Sequence, residues 1–115
     1  MTIEILEFLD DSGYSPYGKW FDKLNAKSAA KVTAAVDRIG RGLMTNVESV
    51  GSGVYERKVN FGPGYRIYFG LETDGQVTRV VILLNGGSKK GQSNDINLAK
   101  LHWKDYKTRK RRGEK

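Results

Sequence analysis

Two runs of alternating residues, V-Y-E-R-K-V-N-F from Val54 and Y-R-I-Y-F-G-L from Tyr65, meet across Gly62-Pro63-Gly64, and this pair constrains the fold more than any other feature of the chain. A period of two belongs to strands. Glycine supplies the backbone angles that a tight reversal needs, and proline has no amide to give to a ladder, so the punctuation between the runs predicts a hairpin. A three-residue loop pairs Phe61 with Tyr65, Asn60 with Arg66, Val59 with Ile67 and Lys58 with Tyr68. That parity sends Val59, Phe61, Tyr65, Ile67 and Phe69 to a core. It sends Glu56, Lys58, Asn60, Arg66 and Tyr68 to the opposite face, which is expected to be open. Arg57 falls on the apolar side and is expected to snorkel at the sheet edge.

The remaining elements are read around this hairpin. Residues Thr2 to Leu9 form a first strand, because Ile3, Ile5, Leu6, Phe8 and Leu9 are too few and too β-prone for a helix. Ser15-Pro16 has the pattern of a capping residue followed by a first-turn proline, opening a short helix that buries Trp20, Phe21 and Leu24. A second helix spans Ala26 to Arg41, with Ala29, Val32, Val36, Ile39 and Leu43 on one apolar stripe. The stretch framed by Gly40, Gly42, Gly51 and Gly53 reads as a polar connection. After the Asp74-Gly75 turn, Gln76 to Leu84 is nearly all apolar, as befits a central strand covered on both sides. Asn85-Gly86-Gly87 reads as a loop, and Ser93-Asn94-Asp95 as the capped start of a helix ending near Lys107.

The predicted class is therefore α+β, in the order β, α, α, β, β, β, α. It comprises a small antiparallel sheet, made of the N-terminal strand plus a three-stranded meander, with two N-terminal helices and one C-terminal helix. A chain of 115 residues supports one core, placed at residues 1–107. The run K-T-R-K-R-R-G-E-K leaves a basic tail over 108–115, expected to fray for want of apolar residues.

Charge narrows the partners. Twenty Lys and Arg against thirteen Asp and Glu leave a net charge of +7, and so strong a positive field on a small body draws polyanions, nucleic acid first. The chain has no cysteine and a single His102, so a disulfide framework and thiolate zinc are excluded, and neither a metal nor any other cofactor is expected. The acidic N-terminus lacks the pattern of a signal peptide, and no apolar run approaches the ~20 residues of a membrane span. A cytoplasmic protein without membrane contact is expected.

Cleavage of RNA through the ribose 2′-hydroxyl needs a base, cations for the charge on the phosphorane, and an acid for the leaving 5′-oxygen. Glu56 or Lys58 would serve as base, Arg66 as a bidentate phosphate clamp and Lys89 as a second cation, with Lys58 or Lys89 as acid. Asn60, Tyr68 and Lys90 would contact RNA, Tyr68 by stacking or hydrogen bonding. Simpler roles stand beside these: Glu56 and Lys58 as an exposed ion pair, and His102 as a surface or boundary residue. Gly86-Gly87-Ser88-Lys89 lacks the spacing of a nucleotide-binding loop.

The segments G-S-G-V-Y-E through G-P-G-Y-R-I-Y-F, followed by V-I-L-L-N-G-G-S-K-K-G-Q and S-N-D-I-N-L-A, resemble the phage-derived, HigB-like branch of the RelE/ParE toxin superfamily, often called addiction-module killer proteins. The resemblance covers about Val47 to Trp103. It implies a RelE-like domain, and the toxin of a type II toxin–antitoxin module that acts as a metal-independent mRNA endoribonuclease (an mRNA interferase) in the ribosomal decoding site and so inhibits translation. It further implies a cognate helix-turn-helix antitoxin, through which alone operator DNA is met. Under it Arg66 matches the arginine of G-Y-R, Lys89 the cation after the Gly-Gly pair, and Glu56 and Lys58 the polar positions of the preceding strand. Asn94 and Asp95 stand where some superfamily nucleases have tyrosine or histidine, and Asn60 where related sequences can carry histidine. The alternatives are a ParE-like toxin that poisons DNA gyrase without nuclease chemistry, or a basic nucleic-acid-binding phage accessory protein.

Overall fold

The computed structural model describes residues 2–75 and 78–113. The chain runs β1 (Thr2–Glu7), α1 (Pro16–Asp22), α2 (Ala26–Gly40), β2 (Val47–Gly51), β3 (Val54–Val59), β4 (Tyr65–Asp74), β5 (Thr78–Ser88), a 3-10 turn at Lys89–Gly91, and α3 (Gln92–Arg111). The strands form one five-stranded sheet in the order β1-β5-β4-β3-β2. The class is α+β, as expected, but the sheet is mixed, because β1 runs parallel to β5 while the other neighbours are antiparallel. The predicted all-antiparallel, four-stranded sheet and its element order are corrected accordingly.

The strand that sequence reading missed is β2. Val47 pairs with Arg57, Glu48 with Glu56 and Ser49 with Tyr55, and a register shift between Ser49 and Gly51 leads into the turn. Gly51, Ser52 and Gly53 all have positive φ, at 96°, 56° and 82°. The glycines therefore build a bulge and a tight reversal inside a hairpin, and do not break the chain into a loop.

The central hairpin keeps its predicted faces but not its predicted pairs. Lys58 opposes Arg66, Glu56 opposes Tyr68, and Val59 opposes Tyr65. The register sits two residues from the expected one because the loop takes in Asn60 and Phe61 as well. It is closed by hydrogen bonds from Phe61 N to Val59 O (2.9 Å) and from Gly64 N to Phe61 O (3.1 Å). A shift of two leaves every side chain on its own face.

Both faces of the sheet are covered. On one, α1 and α2 bury Tyr17, Val32, Ala35 and Ile39 against Val59, Ile67, Phe69, Val81 and Leu83. On the other, α3 buries Ala99 and Trp103 against Phe8, Val54, Tyr68, Val80, Ile82 and Leu84. Residues 80–84 of β5 alternate between these layers, which explains their unbroken apolar character. Each large apolar side chain buried in this way contributes about 1.5–3 kcal/mol.

The helices start as their capping residues dictate. Ser15 Oγ accepts from Gly18 N at 2.8 Å and Asn25 Oδ1 from Ser28 N at 2.9 Å. In α2 the buried positions are Ser28, Val32, Ala35 and Ile39. The predicted stripe is thus rotated slightly, and Leu43, past the end of the helix, is 50% exposed. Helix α3 begins from Gly91 without a side-chain cap, so Ser93 and Asn94 are first-turn residues and not the cap expected of them. It continues through Arg111. Residues 108–111, expected to fray, form its last turn, held by Arg109 Nη2 to Leu9 O at 2.7 Å and Lys110 Nζ to Glu72 at 2.6 Å.

Asn85, Gly86 and Gly87, read as a loop from sequence, are part of β5. Their glycines answer to packing: a Cβ at Gly86 would lie 2.2 Å from Trp20 Cε3, and one at Gly70 would lie 2.4 Å from Trp103 Cε3. Each indole lies flat on bare strand backbone, one on each face of the sheet. Gln76 and Val77, the predicted start of this strand, and the last two residues of the predicted tail lie outside the described residues.

Candidate functional site

The face expected to lie open is roofed by the start of α3. Glu56 on β3 is 1% exposed, and its carboxylate accepts three hydrogen bonds. They come from Tyr68 Oη at 3.0 Å, Arg66 Nη1 at 3.3 Å and Gln92 Nε2 at 2.8 Å. Tyr68 lies directly across the strand pair from Glu56 and Arg66 lies diagonally, the two relationships in which side chains on one sheet face meet. Gln92, the first residue of α3, supplies the third bond from above. A buried carboxylate held by a guanidinium and two neutral donors satisfies the demand that buried charge be paired and hydrogen-bonded.

Burial, with the negative charge of Glu56 beside it, pushes the Tyr68 phenol well above its ordinary range. It therefore stays protonated and donating at every physiological pH. Asp95 lies on the same helix, its carboxylate against the backbone of Gly87 and Gly91: a Cβ at Gly87 would fall 2.0 Å from Asp95 Oδ2. Burial raises its pKa above the usual carboxylate value. Asn85, opposite Tyr68 in the ladder, donates from Nδ2 to Asp95 O at 3.1 Å and ties α3 to the sheet.

The remaining candidates stand at the rim. Lys58 is the ladder partner of Arg66. Its side chain is 39% exposed, with its ammonium 3.7 Å from Glu48 Oε1 on the edge strand. Arg66 in turn pairs with Gly87, and Tyr65 with Ser88, so Lys89 leaves the sheet at the end where Arg66 begins. A Cβ on Gly64 would lie 3.5 Å from Lys89 Cβ, which sets the 3-10 turn against the hairpin loop. Lys89, Lys90 and Asn60 are exposed.

The fold thus gathers Glu56, Arg66 and Tyr68 into one network and brings Lys58 and Lys89 to the same end of the sheet. The solvent-open character expected for Glu56, Arg66 and Tyr68 is corrected. Tyr68 is 0% and Arg66 8% exposed, because α3 crosses above them and not beside them. Tyr68 therefore has no face free for base stacking. Gln92, Asn85 and Asp95 were missed as parts of the network. Gln92 closes the segment V-I-L-L-N-G-G-S-K-K-G-Q that carries the resemblance but was given no role, and Asn85 next to two glycines at the end of an apolar strand was a visible anomaly. Arg57, on the other face, is buried as well, with its Nη1 donating to Thr45 O. Burial, with Arg38 nearby, lowers its pKa below the ordinary guanidinium value. Among the described residues no three His, Cys, Asp or Glu side chains converge as metal ligands do, and no helix is long and apolar enough to cross a membrane.

Fold and site together define a small α+β protein whose five-stranded mixed sheet holds a buried carboxylate–guanidinium–phenol network under its last helix, with lysines at the rim. No family model matches the chain. It is 37% identical over 102 residues to an uncharacterized protein of Haemophilus influenzae (strain ATCC 51907 / DSM 11121 / KW20 / Rd), a match spanning 88% of this chain and 93% of that protein. The chain belongs to the same family as that protein.

Proposed function

We propose that this protein is the toxin of a type II toxin–antitoxin module, a HigB-like member of the RelE/ParE superfamily that arrests translation by cutting mRNA on the ribosome in the cytoplasm. The observation that carries the reading is the meeting of the two motifs at one end of the sheet. There Lys58 on β3, Arg66 on β4 and Lys89 just past β5 come from adjacent strands. Three cations from neighbouring strands suit one phosphodiester and the charge that builds on its oxygens during cleavage.

In the cleavage step the 2′-oxygen loses its proton and attacks phosphorus, the bond to the 5′-oxygen breaks, and that oxygen takes up a proton. The products are a 2′,3′-cyclic phosphate and a 5′-hydroxyl. Lys89 is open to the phosphate, and Arg66, 8% exposed and paired with Glu56, adds its charge from the enclosed side. Glu56, enclosed and holding three hydrogen bonds, orients the Arg66 fork and is too enclosed to act as the base. Proton transfer then belongs to the rim, where Lys58 stands beside Glu48. A helix-turn-helix antitoxin carrying acidic residues would silence the toxin by covering this end of the sheet, since charge complementarity speeds association.

Induced expression of the chain alone tests the reading. Growth arrest with new 5′ ends inside coding regions, relieved by the neighbouring helix-turn-helix protein, is the expected result. Arrest accompanied by DNA double-strand breaks and intact mRNA would transfer the protein to the gyrase-poisoning class. No arrest at all would leave a basic nucleic-acid-binding accessory protein.

A further inference from the structure

Away from the candidate site, one flank of α3 carries Lys100, Lys104, Lys107 and Arg111. At 100° per residue these four fall within an arc of about 60°, and at 1.5 Å rise they extend over about 16 Å of helix. None of them has a carboxylate within ion-pairing distance among the described residues, whereas the neighbouring Arg109 and Lys110 are committed to Asp105 and Glu72. The stripe borders two adjoining concavities that share Lys104 and Lys107. One opens toward the β2–β3 turn and the other toward Glu72.

Cations in the last turn of a helix are expected from its dipole, which covers Arg111 but not Lys100 and Lys104 in the middle. Like charges three and four residues apart weaken a helix, and of the four only Lys107, 5.6 Å over the Trp103 ring, has a local partner among the described residues. A protein partner is disfavoured, since lysine is depleted in protein–protein interfaces. Single-stranded RNA would want an exposed aromatic platform. Trp103 is 5% exposed and stacks on Tyr106 at 5.4 Å instead. Evenly spaced cations without stacking groups suit the backbone of a duplex.

We propose that this flank of α3 is a docking track for the phosphate backbone of double-helical RNA, separate from the cluster at Lys58, Arg66 and Lys89. The choice of RNA over DNA rests on the function proposed above. The track holds the protein on structured RNA, and the candidate site then acts on a different strand.

The test is binding of the full chain to a fluorescent RNA hairpin across a salt series. It compares K100Q/K104Q/K107Q with K19Q/K23Q/K27Q, which removes three exposed lysines elsewhere. Thermal unfolding verifies that both are folded. The stripe variant is expected to bind at least tenfold more weakly at low salt and to lose about two to three from the slope of log K against log salt, since each phosphate contact contributes about 0.9. Equal losses in the two variants would overturn the proposal, as would tighter binding to a DNA duplex of the same sequence or displacement of the hairpin by poly-glutamate at equal charge. Mapping mRNA 5′ ends in parallel separates the two claims. Cleaved mRNA with an unchanged slope sinks the track alone, and a reduced slope with uncut mRNA sinks the nuclease reading alone.

Discussion

Glu56 and Arg66 meet at 3.3 Å from adjacent strands beneath α3, their side chains 2% and 10% exposed. A pair this enclosed is a poor source of net stability but costly to break, because removing one partner strands the other charge out of water. Glu56→Ala is therefore expected to destabilise the protein by about 3–5 kcal/mol, and Glu56→Gln by less, since an amide oxygen still accepts from Tyr68 and Gln92. Joint replacement of Glu56 and Arg66 by methionine should recover much of the loss. Urea unfolding measures all three, and a Glu56→Ala variant within ~1 kcal/mol of the parent would mean the carboxylate is not held as described.

The two tryptophans that lie on strand glycines give a second expectation. Gly70→Ala places a methyl 2.4 Å from the Trp103 ring, and Gly86→Ala places one 2.2 Å from the Trp20 ring. Neither indole can turn aside without leaving its packed layer, so each substitution is expected to cost about 1–3 kcal/mol. Gly75→Ala serves as the contrast. A Cβ there meets nothing within 4 Å among the described residues but must adopt a φ of +67°, so backbone strain of the order of 1 kcal/mol is expected. Chemical unfolding followed by tryptophan fluorescence resolves these cases, and unperturbed emission in Gly70→Ala would contradict the stacking.

These glycines also show where sequence reading stopped. The alternation through Val54–Val59 and Tyr65–Leu71 was legible because parity survives a two-residue slip, so the faces were foreseen while the partners were not. Gly51, Gly53, Gly86 and Gly87 were misread because glycine marks both chain reversal and close approach of another group: Gly51 and Gly53 turn a hairpin at positive φ, whereas Gly86 and Gly87 make room for Trp20 and Asp95. That Arg66 shares one end of the sheet with Lys58 and Lys89 follows from the succession of β3, β4 and β5. The enclosure of Glu56 did not, since it depends on where α3 crosses the sheet, and no local pattern encodes a crossing.

His102 gives the chain a pH dependence. Its ring lies 4.8 Å from that of Phe8, and its buried Nε2 has no hydrogen-bond partner among the described residues. Burial lowers its pKa below 6.5, a shift that Asp105 and Asp10 only partly oppose. The unfolded chain then binds the proton more readily than the folded one. His102 accordingly costs nothing above pH 6.5, and stability declines as pH falls through that value toward the lower folded pKa. Asp95, whose pKa is raised by burial, has the opposite sign and acts from 3.8 upward. Thermal midpoints between pH 5 and 8 should fall on acidification in the parent and fall less in His102→Asn. Parallel profiles would show that the imidazole is not the group responsible.

Lys89 and Arg66 separate catalysis from architecture. Arg66→Ala leaves the Glu56 carboxylate buried without its cation, so it loses stability together with any activity, and arrested function in that variant does not by itself identify a phosphate ligand. Lys89 is exposed in the 3-10 turn, where truncation is expected to change stability by no more than about 0.5 kcal/mol. If its ammonium meets the scissile phosphate, Lys89→Ala should slow mRNA cleavage on ribosomes by about 10²–10³-fold, the range found when one donor to a developing oxyanion is removed. Lys89→Arg should restore part of the rate. A Lys89→Ala protein that unfolds normally and cuts at the parent rate would remove this residue from the site and leave Lys58 and Arg66 to hold the phosphate alone.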